Sequence, residues 1–197
     1  NLFCLEMRNR MTTRDIQREE TKKRIYDVAF KLFDEFGYDK VKVSDIAKAA
    51  NVSVGSVYYH YKNKEAIIDY GYYEFDQMLK EAYEKQTFDN EREAILFLID
   101  FQIKDVFLDI GLKMTTICFK NQINAENTYL HSDERYLYQK LLENLNNIQH
   151  MNKEHAAKMM LRISRGSIYD WCCHNGSYDL IEAVHEEISI VLDYIGL

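Results

Sequence analysis

Side chains that can hydrogen-bond to an anion are concentrated between Ser44 and Lys64. The run Tyr58-Tyr59-His60-Tyr61 lies at the centre of this stretch, and Gly55 and Ser56 precede it. Phenol hydroxyls, an imidazole and an ammonium group bind phosphate oxygens and the polar edges of bases. Small residues beside them let the backbone approach a ligand closely. These residue types indicate binding through hydrogen bonds and charge.

The sequence contains none of the common catalytic or nucleotide-binding motifs, such as GxSxG, the Walker loop, GxGxxG or HExxH. No two of its six histidines are three or four residues apart, so a metal site within one helix is not expected. We therefore expect no enzymatic activity, cofactor or metal. The sequence Cys172-Cys173-His174 does place two thiols directly before an imidazole, which leaves a metal-binding or enzymatic helical protein as the alternative of a different class.

The four cysteines show no CxxC spacing, so we expect reduced thiols (Cys4, Cys118, Cys172 and Cys173). The chain has 197 residues, enough for one compact unit or two small ones, and 47% of them are hydrophobic. Proline is absent and glycine occurs only 7 times, which favours helices over hairpins. No segment approaches 18 consecutive apolar residues and no secretory segment is recognisable, so the expected location is the cytoplasm.

Charge is distributed unevenly along the chain. The net charge is -7, yet residues 1–64 hold 13 Lys and Arg against 9 Asp and Glu, and the rest hold 12 against 23. An acidic protein is an unusual partner for nucleic acid, but a basic first third on an acidic body is compatible with one. Arg10, Arg14 and Arg18 provide nonspecific attraction to phosphates near the start of the chain.

Apolar residues at three- and four-residue steps predict a first helix over residues 14–36, ended by Gly37. Ser44 is expected to cap a short helix over residues 45–50, and Ser53 a second over residues 54–61. Asn63 is expected to cap a long helix over residues 64–84. The remainder is also predicted to be helical, with helices over residues 90–107, 112–123, 133–147, 152–174 and 177–195. The predicted fold class is all-α.

The two short helices have the spacing of a helix-turn-helix unit. Ile46, Ala47, Ala50, Val52 and Val57 are placed to hold the helices together at a steep angle across a three-residue turn. In such a unit the second helix enters the major groove of DNA. Core packing is the alternative role for the aromatic run that follows, because helical spacing cannot direct all four side chains outward. We expect it for Tyr58 and Tyr61.

These residues resemble the signature of tetracycline-repressor (TetR) type transcriptional regulators. The resemblance covers roughly residues 22–68 and is carried by Gly37, Val41, Val43, the segments Ser44-Asp45-Ile46-Ala47 and Val52-Ser53, and the run from Gly55 to Glu65. A weaker similarity lies in Arg165-Gly166-x-Ile168-Tyr169-x-Trp171, followed by Gly176 and Asp179-Leu180. Asn51 departs from the glycine often found there, but asparagine tolerates the same backbone conformation.

The resemblance implies an N-terminal three-helix helix-turn-helix DNA-binding domain over residues 14–62. A helical ligand-binding and dimerisation domain would follow over residues 63–197. It further implies a homodimer, joined by the last two helices, on a palindromic DNA operator. The last helix has apolar residues on more than one side, which independently suggests a second buried face. Carried over by position, the expected DNA contacts are Ser44, Val54, Gly55, Ser56, Tyr59, His60 and Lys64.

A small-molecule effector is the other partner that the resemblance implies. The protein would then be a repressor that leaves its operator when the effector binds. The aromatic, methionine and cysteine residues expected around it are Tyr73, Met78, Phe97, Phe101, Phe107, Met114, Cys118, Phe119, Tyr136 and Trp171. Ordinary core packing is the alternative for each of them. Asp100, Asp105 and Asp170 are candidate carboxylates at the edge of such a pocket. A regulator without an inducer, or one that activates, remains an alternative.

Overall fold

The computed structural model describes residues 12–124 and 133–197, and within these ranges it contains helices and no strand. Cys4, Arg10 and His131 lie outside the described residues. The helices are α1 (Thr13–Phe36), α2 (Val43–Ala49), α3 (Val54–His60), α4 (Lys64–Tyr83), α5 (Glu91–Gln102), α6 (Gly111–Asn124), α7 (Tyr136–Asn144), α8 (Lys153–Cys173) and α9 (Leu180–Ile195). A π-helical segment, Ile103–Leu108, follows α5. The all-α class is confirmed.

The chain divides into two compact units between Gly71 and Tyr72, inside α4. The predicted boundary lies between residues 62 and 63, nine residues earlier. The domain limits 14–62 and 63–197 stay a prediction. In the first unit, apolar side chains of α1 to α4 are fully or almost fully buried. They are Ile25, Ala29, Phe33, Ile46, Ala47, Ala50, Val57, Ile67 and Ile68. The core of the second unit is built from α4 to α9 and includes Leu79, Ile95, Leu141, Met160, Ile168 and Leu192.

The start and end of α1 follow from local hydrogen bonding. Thr12 accepts a hydrogen bond from the backbone N–H of Asp15, and the Asp15 carboxylate accepts one from the Thr12 backbone N–H. This reciprocal pair is a capping box. Gly37 ends the helix with φ +90°, a value that a residue with a Cβ atom rarely adopts. The predicted helix is confirmed, with its first residue one position earlier.

The cap of α2 differs from the prediction. The helix begins at Val43 with Lys42 as its cap, and Ser44 lies inside the first turn. The Asp45 carboxylate accepts a hydrogen bond of 2.9 Å from the Lys42 backbone N–H, and this bond stabilises the start of the helix. The assignment of Ser44 as the cap was therefore wrong, because Asp at the third helical position can satisfy the same end of the helix.

The turn and the caps that follow are as predicted. Asn51 has φ +54°, and the next residue, Val52, donates its backbone N–H to the Ala47 carbonyl. The Ser53 hydroxyl oxygen accepts a hydrogen bond of 3.0 Å from the Ser56 backbone N–H at the start of α3. The Asn63 side-chain oxygen accepts one of 2.8 Å from Ala66 in the first turn of α4. The helix-turn-helix unit and the long helix after it are thus confirmed.

Three predicted helices of the second unit differ in extent. The helix expected to reach residue 107 ends at Gln102 and passes into the π-helical segment. The helix expected over residues 133–147 is confined to α7. The helix expected from residue 177 starts at Leu180, because Asn175 and Gly176 form a turn with positive φ and Asp179 supplies the cap. The Asp179 carboxylate accepts hydrogen bonds from two backbone N–H groups, at 2.9 and 3.0 Å.

A buried ion pair connects α4 with the residue before α7. The Arg135 guanidinium donates two hydrogen bonds, of 2.9 and 2.7 Å, to the two carboxylate oxygens of Asp76. The Tyr136 backbone N–H donates a third to the same carboxylate, at 3.3 Å. Both charged side chains are almost completely buried. Two parallel hydrogen bonds to a carboxylate fix both distance and orientation between the elements that carry them.

Replacing Arg135 by methionine is expected to lower the free energy of unfolding by about 3–5 kcal/mol, because it leaves the Asp76 carboxylate buried without its cation. Urea unfolding followed by circular dichroism measures this. The matched control is Lys158→Met, which removes the exposed Lys158–Asp133 pair and should cost less than about 1 kcal/mol. Equal losses in the two variants would contradict a stabilising role for the buried pair.

Candidate nucleic-acid interface

Helix α3 exposes one face and buries the other. Val57 is fully buried, and Tyr59, about 200° further round the helix, is 72% exposed. Gly55 lies beside Tyr59 on the outer face, with Ser56 and His60 on one flank. Val54 and Tyr58 lie on the other flank, and both are exposed. The outer face therefore presents backbone, hydroxyl and aromatic groups together.

The aromatic run is divided between this face and the core. Tyr61 is buried, and its hydroxyl donates a hydrogen bond of 2.9 Å to the Lys22 carbonyl of α1. Its ring also contacts that of Tyr70 in α4, with the centroids 5.8 Å apart. The core role expected for Tyr61 is confirmed. The same expectation was wrong for Tyr58, which is 53% exposed, because only positions four residues apart share the buried side of this helix.

A groove of about 580 Å³ runs between the start of α1 and α3. Ser56, Tyr59 and His60 line it from α3. The side of α1 contributes Arg14, Asp15, Gln17, Arg18 and Thr21. The groove thus brings three of the predicted DNA contacts together with two of the arginines expected to attract phosphates.

Asp15, Gln17 and Thr21 are groove residues that were not predicted from the sequence, and Asp15 directly follows the predicted Arg14. The positions 14, 17, 18 and 21 are spaced by three and four residues, so they share one face of α1. This spacing, starting from the predicted Arg14, is the signal that could have identified Gln17 and Thr21.

The groove carries two arginines, and the carboxylates near Arg18 neutralise their positive charge only in part. Arg18 lies 4.0 Å from the Asp15 carboxylate and 3.4 Å from that of Glu19, and all three side chains are substantially exposed. The capping bonds from Thr12 lower the pKa of the Asp15 carboxyl, so that it stays ionised. Exposed ion pairs of this kind contribute little stability, and a phosphate group can compete for the guanidinium.

His60 is half-buried at the side of the groove. Its ring meets that of Tyr59 edge-on, with the centroids 5.0 Å apart. Burial lowers the pKa of the His60 imidazole below its ordinary value, Glu19 opposes this, and Lys22 and Arg18 lower it further. A neutral imidazole still donates one ring N–H to an acceptor such as a phosphate oxygen.

The remaining predicted DNA contacts lie apart from the groove. Ser44 is exposed in the first turn of α2, and Val54 and Gly55 are exposed in the first turn of α3. Lys64 is only partly exposed, and its ammonium donates hydrogen bonds of 2.8 and 3.1 Å to the carbonyls of Tyr38 and Val41. Two of its three N–H donors are therefore used within the unit. The DNA contacts of all seven residues stay predictions.

The residues expected around an effector fall into groups of different exposure within the second unit. Phe107, Met114, Cys118 and Trp171 are buried. Phe97, Phe101, Phe119 and Tyr136 are partly buried against the core. Phe97 and Phe101 belong to a series of neighbouring rings, and Phe119 contacts Phe107 at 5.8 Å. Tyr73 and Met78 are about half exposed in a single chain. Their common role as a pocket stays a prediction.

Trp171 has a defined structural partner. Its indole N–H donates to the Tyr178 carbonyl at 3.2 Å, and the ring lies against Gly176, where a Cβ atom would be 3.1 Å from it. Among the candidate carboxylates, Asp100 accepts from Lys104 and contacts the His185 imidazole. Asp170 accepts from the Tyr178 hydroxyl at 3.0 Å, and Asp105 is exposed. Asp100 and Asp170 thus already have partners.

Within residues 12–124 and 133–197, no group of three His, Cys, Asp or Glu side chains is arranged to hold a metal ion. Cys118, Cys172 and Cys173 form no disulfide within these ranges. Burial raises the pKa of the Cys172 thiol, and a hydrogen bond with Thr116 opposes this effect. Over the same described ranges, none of the helices combines the length and the apolar character needed to cross a membrane.

A short helix exposed on a helix-turn-helix unit is the arrangement in which many DNA-binding proteins present a recognition helix. Residues 25–70 match the family model described as bacterial regulatory proteins, tetR family. The matched segment contains the helix-turn-helix unit, so this part of the chain is similar to the DNA-binding segment of that family.

Two further similarities, both to transcriptional regulators, extend over longer segments. The chain is 28% identical over 124 residues, 57% of its length, to the biofilm operon icaADBC HTH-type negative transcriptional regulator IcaR of Staphylococcus epidermidis. That alignment spans 66% of IcaR, just under two thirds of its length. The chain is 26% identical over 167 residues to the HTH-type transcriptional regulator YhgD of Bacillus subtilis, covering 77% of this chain and 84% of that one.

Among solved structures, the chain is similar to Thermus thermophilus FadR, described as a TetR-family transcriptional repressor in complex with lauroyl-CoA. The TM-score is 0.68 at 20% identity, with 89% of this chain and 95% of that chain covered. At this identity the likeness concerns the fold.

The lowered pKa of His60 predicts a loss of stability in acid. The unfolded chain takes up a proton near pH 6.5, whereas the folded chain does so only at lower pH. The free energy of unfolding contributed by this group is therefore constant above about pH 6.5 and falls as the pH drops through the interval between the two pKa values. Urea unfolding at pH 7.5 and 5.5 should show a smaller decrease in His60→Gln than in the unaltered protein. The same decrease in both would contradict the prediction.

Proposed function

We propose that this chain is a sequence-specific DNA-binding repressor. It binds a palindromic operator as a homodimer and leaves it when a small apolar or aromatic molecule binds to the second unit. The observation that carries the proposal is the groove between α1 and α3, which combines Arg14 and Arg18 with Ser56, Tyr59 and His60. The protein acts by binding, and no enzymatic step is part of the proposal.

The proposed contacts divide into two classes. Ser44, His60, Arg14 and Arg18 bind phosphates, since hydroxyl, imidazole and guanidinium groups donate to anionic oxygens. In the major groove, Val54, Gly55, Ser56 and Tyr59 meet base edges, where Val54 contacts a thymine methyl and the hydroxyls donate or accept. Lys64, the seventh predicted contact, belongs to neither class because its ammonium already donates to two carbonyls within the unit.

Relatives support the repressor and the effector. IcaR is named a negative transcriptional regulator, and the Thermus FadR structure holds lauroyl-CoA. An effector that favours the non-binding conformation must bind it more tightly by a few kcal/mol, because about 1.4 kcal/mol gives only tenfold release. The proposed site is formed by the aromatic, methionine and cysteine residues of the second unit that are expected around an effector. The buried ion pair of Asp76 and Arg135 means that the interior of the second unit can hold charged groups where they are paired.

Selection of bound duplexes from a random pool tests the function directly and yields the operator sequence. Compounds are then assayed for release of that operator and for a change in the fluorescence of Trp171, which is the only tryptophan of the chain. A palindromic consensus, bound more weakly as salt rises, supports the proposal. Absence of any preferred duplex contradicts it.

Two substitutions should separate sequence reading from phosphate binding. Ser56→Ala is expected to change the preference at one base pair of each half-site, at a cost of about 1–3 kcal/mol for the preferred base. Arg18→Met should weaken all duplexes about equally and lower the slope of log K against log salt by about 0.9 per subunit. Competition binding at four salt concentrations measures both.

The matched control for Ser56 is Ser53→Ala. It removes the cap of α3, which should cost about 1 kcal/mol of stability, and it should leave the base preference unchanged. If Ser56→Ala and Ser53→Ala shift the preference alike, Ser56 has no role in reading the sequence.

The proposed dimer uses the outer surface of α8 and α9. A groove of about 650 Å³ between these helices is lined by Ile163, Gly166, Ala183, Ile190 and Val191, with Arg162, Asp170 and Glu187 also along it. Ile190 is 70% exposed, and Tyr169 and Tyr194 are also exposed. A large apolar side chain exposed on a strongly amphipathic helix favours a covered surface.

Ile190→Glu is expected to convert the dimer into a monomer at micromolar concentration, because a carboxylate placed in an apolar interface must be desolvated without a partner. Light scattering after gel filtration gives the mass. Phe36→Glu, at an exposed apolar residue of the first unit, is the control and should leave the mass unchanged. A monomeric unaltered protein, or a dimeric Ile190→Glu variant, would refute this interface.

A further inference from the structure

Residues 37–42 form the loop that precedes the helix-turn-helix unit, the 37–42 loop. The first turn of α4 holds this loop in place. The Lys64 ammonium donates to the Tyr38 carbonyl at 2.8 Å and to the Val41 carbonyl at 3.1 Å. The same ammonium lies 4.2 Å from the centroid of the Tyr38 ring. One cation therefore makes three contacts with two residues of the loop.

Glu65 and Phe33 hold the other side of the same tyrosine. The Tyr38 hydroxyl donates a hydrogen bond of 2.9 Å to the Glu65 carboxylate. Its ring meets that of Phe33 edge-on at 5.0 Å, and Phe33 is fully buried in α1. Tyr38 is thus fixed between α1 and two consecutive residues of α4. A long side chain held at several points loses its freedom, and this restricts the backbone that carries it.

The 37–42 loop leads directly into the helix-turn-helix unit. Its turn is closed by backbone N–H groups of Lys40 and Val41 that donate to the Gly37 carbonyl. Val41 is buried, and Lys42 is the cap residue of α2. The position of α2 depends on this loop. Helix α3 packs on α2, and Ala47 and Val57 are both buried. The contacts of Lys64 are therefore connected to the orientation of α3.

We propose that Lys64 is a positioning residue for the recognition helix α3. Its ammonium fixes the 37–42 loop, in place of the phosphate contact that the sequence predicts. The proposal rests on the proposed DNA binding. It differs from a phosphate contact in what the site requires, because the two carbonyls need a compact ammonium whereas a phosphate accepts an ammonium or a guanidinium.

The experiment compares Lys64→Met and Lys64→Arg on the selected operator. Both variants should bind about tenfold more weakly than the unaltered protein, and both should keep its salt slope. The guanidinium of arginine is planar and larger than an ammonium, so we expect it to fit less well between the two carbonyls that the Lys64 Nζ meets at 2.8 and 3.1 Å. Arg18→Met serves as the phosphate-contact control, with a slope lower by about 0.9 per subunit. Circular dichroism and gel filtration establish that all variants are folded and of the same size.

A phosphate contact gives the opposite pattern. Lys64→Arg would then retain full affinity, and Lys64→Met would lower the salt slope by about 0.9 per subunit. Either result overturns the proposal. Tyr38→Phe is a second control, because it removes only the hydroxyl bond to Glu65 and leaves the ring and both carbonyls in place. It should reduce affinity less than either Lys64 variant.

Hydrogen exchange tests the same contact without DNA. The backbone N–H groups of Asp45 and Ile46 donate to the Lys42 carbonyl at 3.0 and 3.3 Å, at the start of α2. Their exchange should be about tenfold faster in both Lys64 variants, with the interior amides of α1 around Ala29 unchanged. Unchanged exchange at Asp45 and Ile46 overturns the proposal. If the unaltered protein binds no duplex, the proposed function fails, while this measurement still decides the role of Lys64.

Discussion

The recognition helix α3 has seven residues, and a helix of this length is not stable by itself in water. Its existence and its direction both depend on what lies behind it. Val57 supplies the buried contact within the helix, and Tyr61 supplies the next one a turn later, through its bond to the Lys22 carbonyl. The groups that face outward are therefore oriented by the packing of residues that lie outside the proposed DNA contacts. A change at Tyr61 alters the outer face as surely as a change at Tyr59.

Helix ends could be predicted where one polar residue stood alone before an apolar run. Ser53 and Asn63 are such residues, and each accepts the bond expected of a cap. The prediction failed where two polar residues lie close together. Ser44 lies inside the first turn of α2 and Asp45 bonds the backbone N–H of the cap residue Lys42. The last helix begins after Asp179 and not at residue 177, because Asp179 accepts two N–H groups of its first turn. Only the backbone path decides between them, and the sequence pattern does not contain that path.

The sequence predicted which residues of α3 belong to the candidate site better than it predicted how they are arranged. Spacing alone placed Val57 inside, and the resemblance identified Tyr59 as outward, and both are found so. The prediction was wrong for Tyr58, which was expected in the core and is exposed, because it follows a buried residue by 100° and lies at the boundary between the two faces. The groove with α1 also escaped prediction, since it depends on how two helices far apart in sequence approach each other. Long-range contacts of this kind, like that of Asp76 with Arg135, have no local signal.

Electrostatics explain how an acidic chain can present a surface for DNA. The net charge of -7 repels a duplex at long range, but charges more than about 8–10 Å apart are largely screened at physiological salt. At contact distance the relevant charges are those near the groove, where Arg14 and Arg18 lie with Asp15, and Glu19 is 3.4 Å from Arg18. For the proposed DNA binding, we therefore expect nonspecific attraction to phosphates to be small. Because contacts to base edges depend on sequence and attraction to phosphates does not, we expect an acidic body with a local basic groove to favour discrimination between DNA sites over affinity for DNA in general.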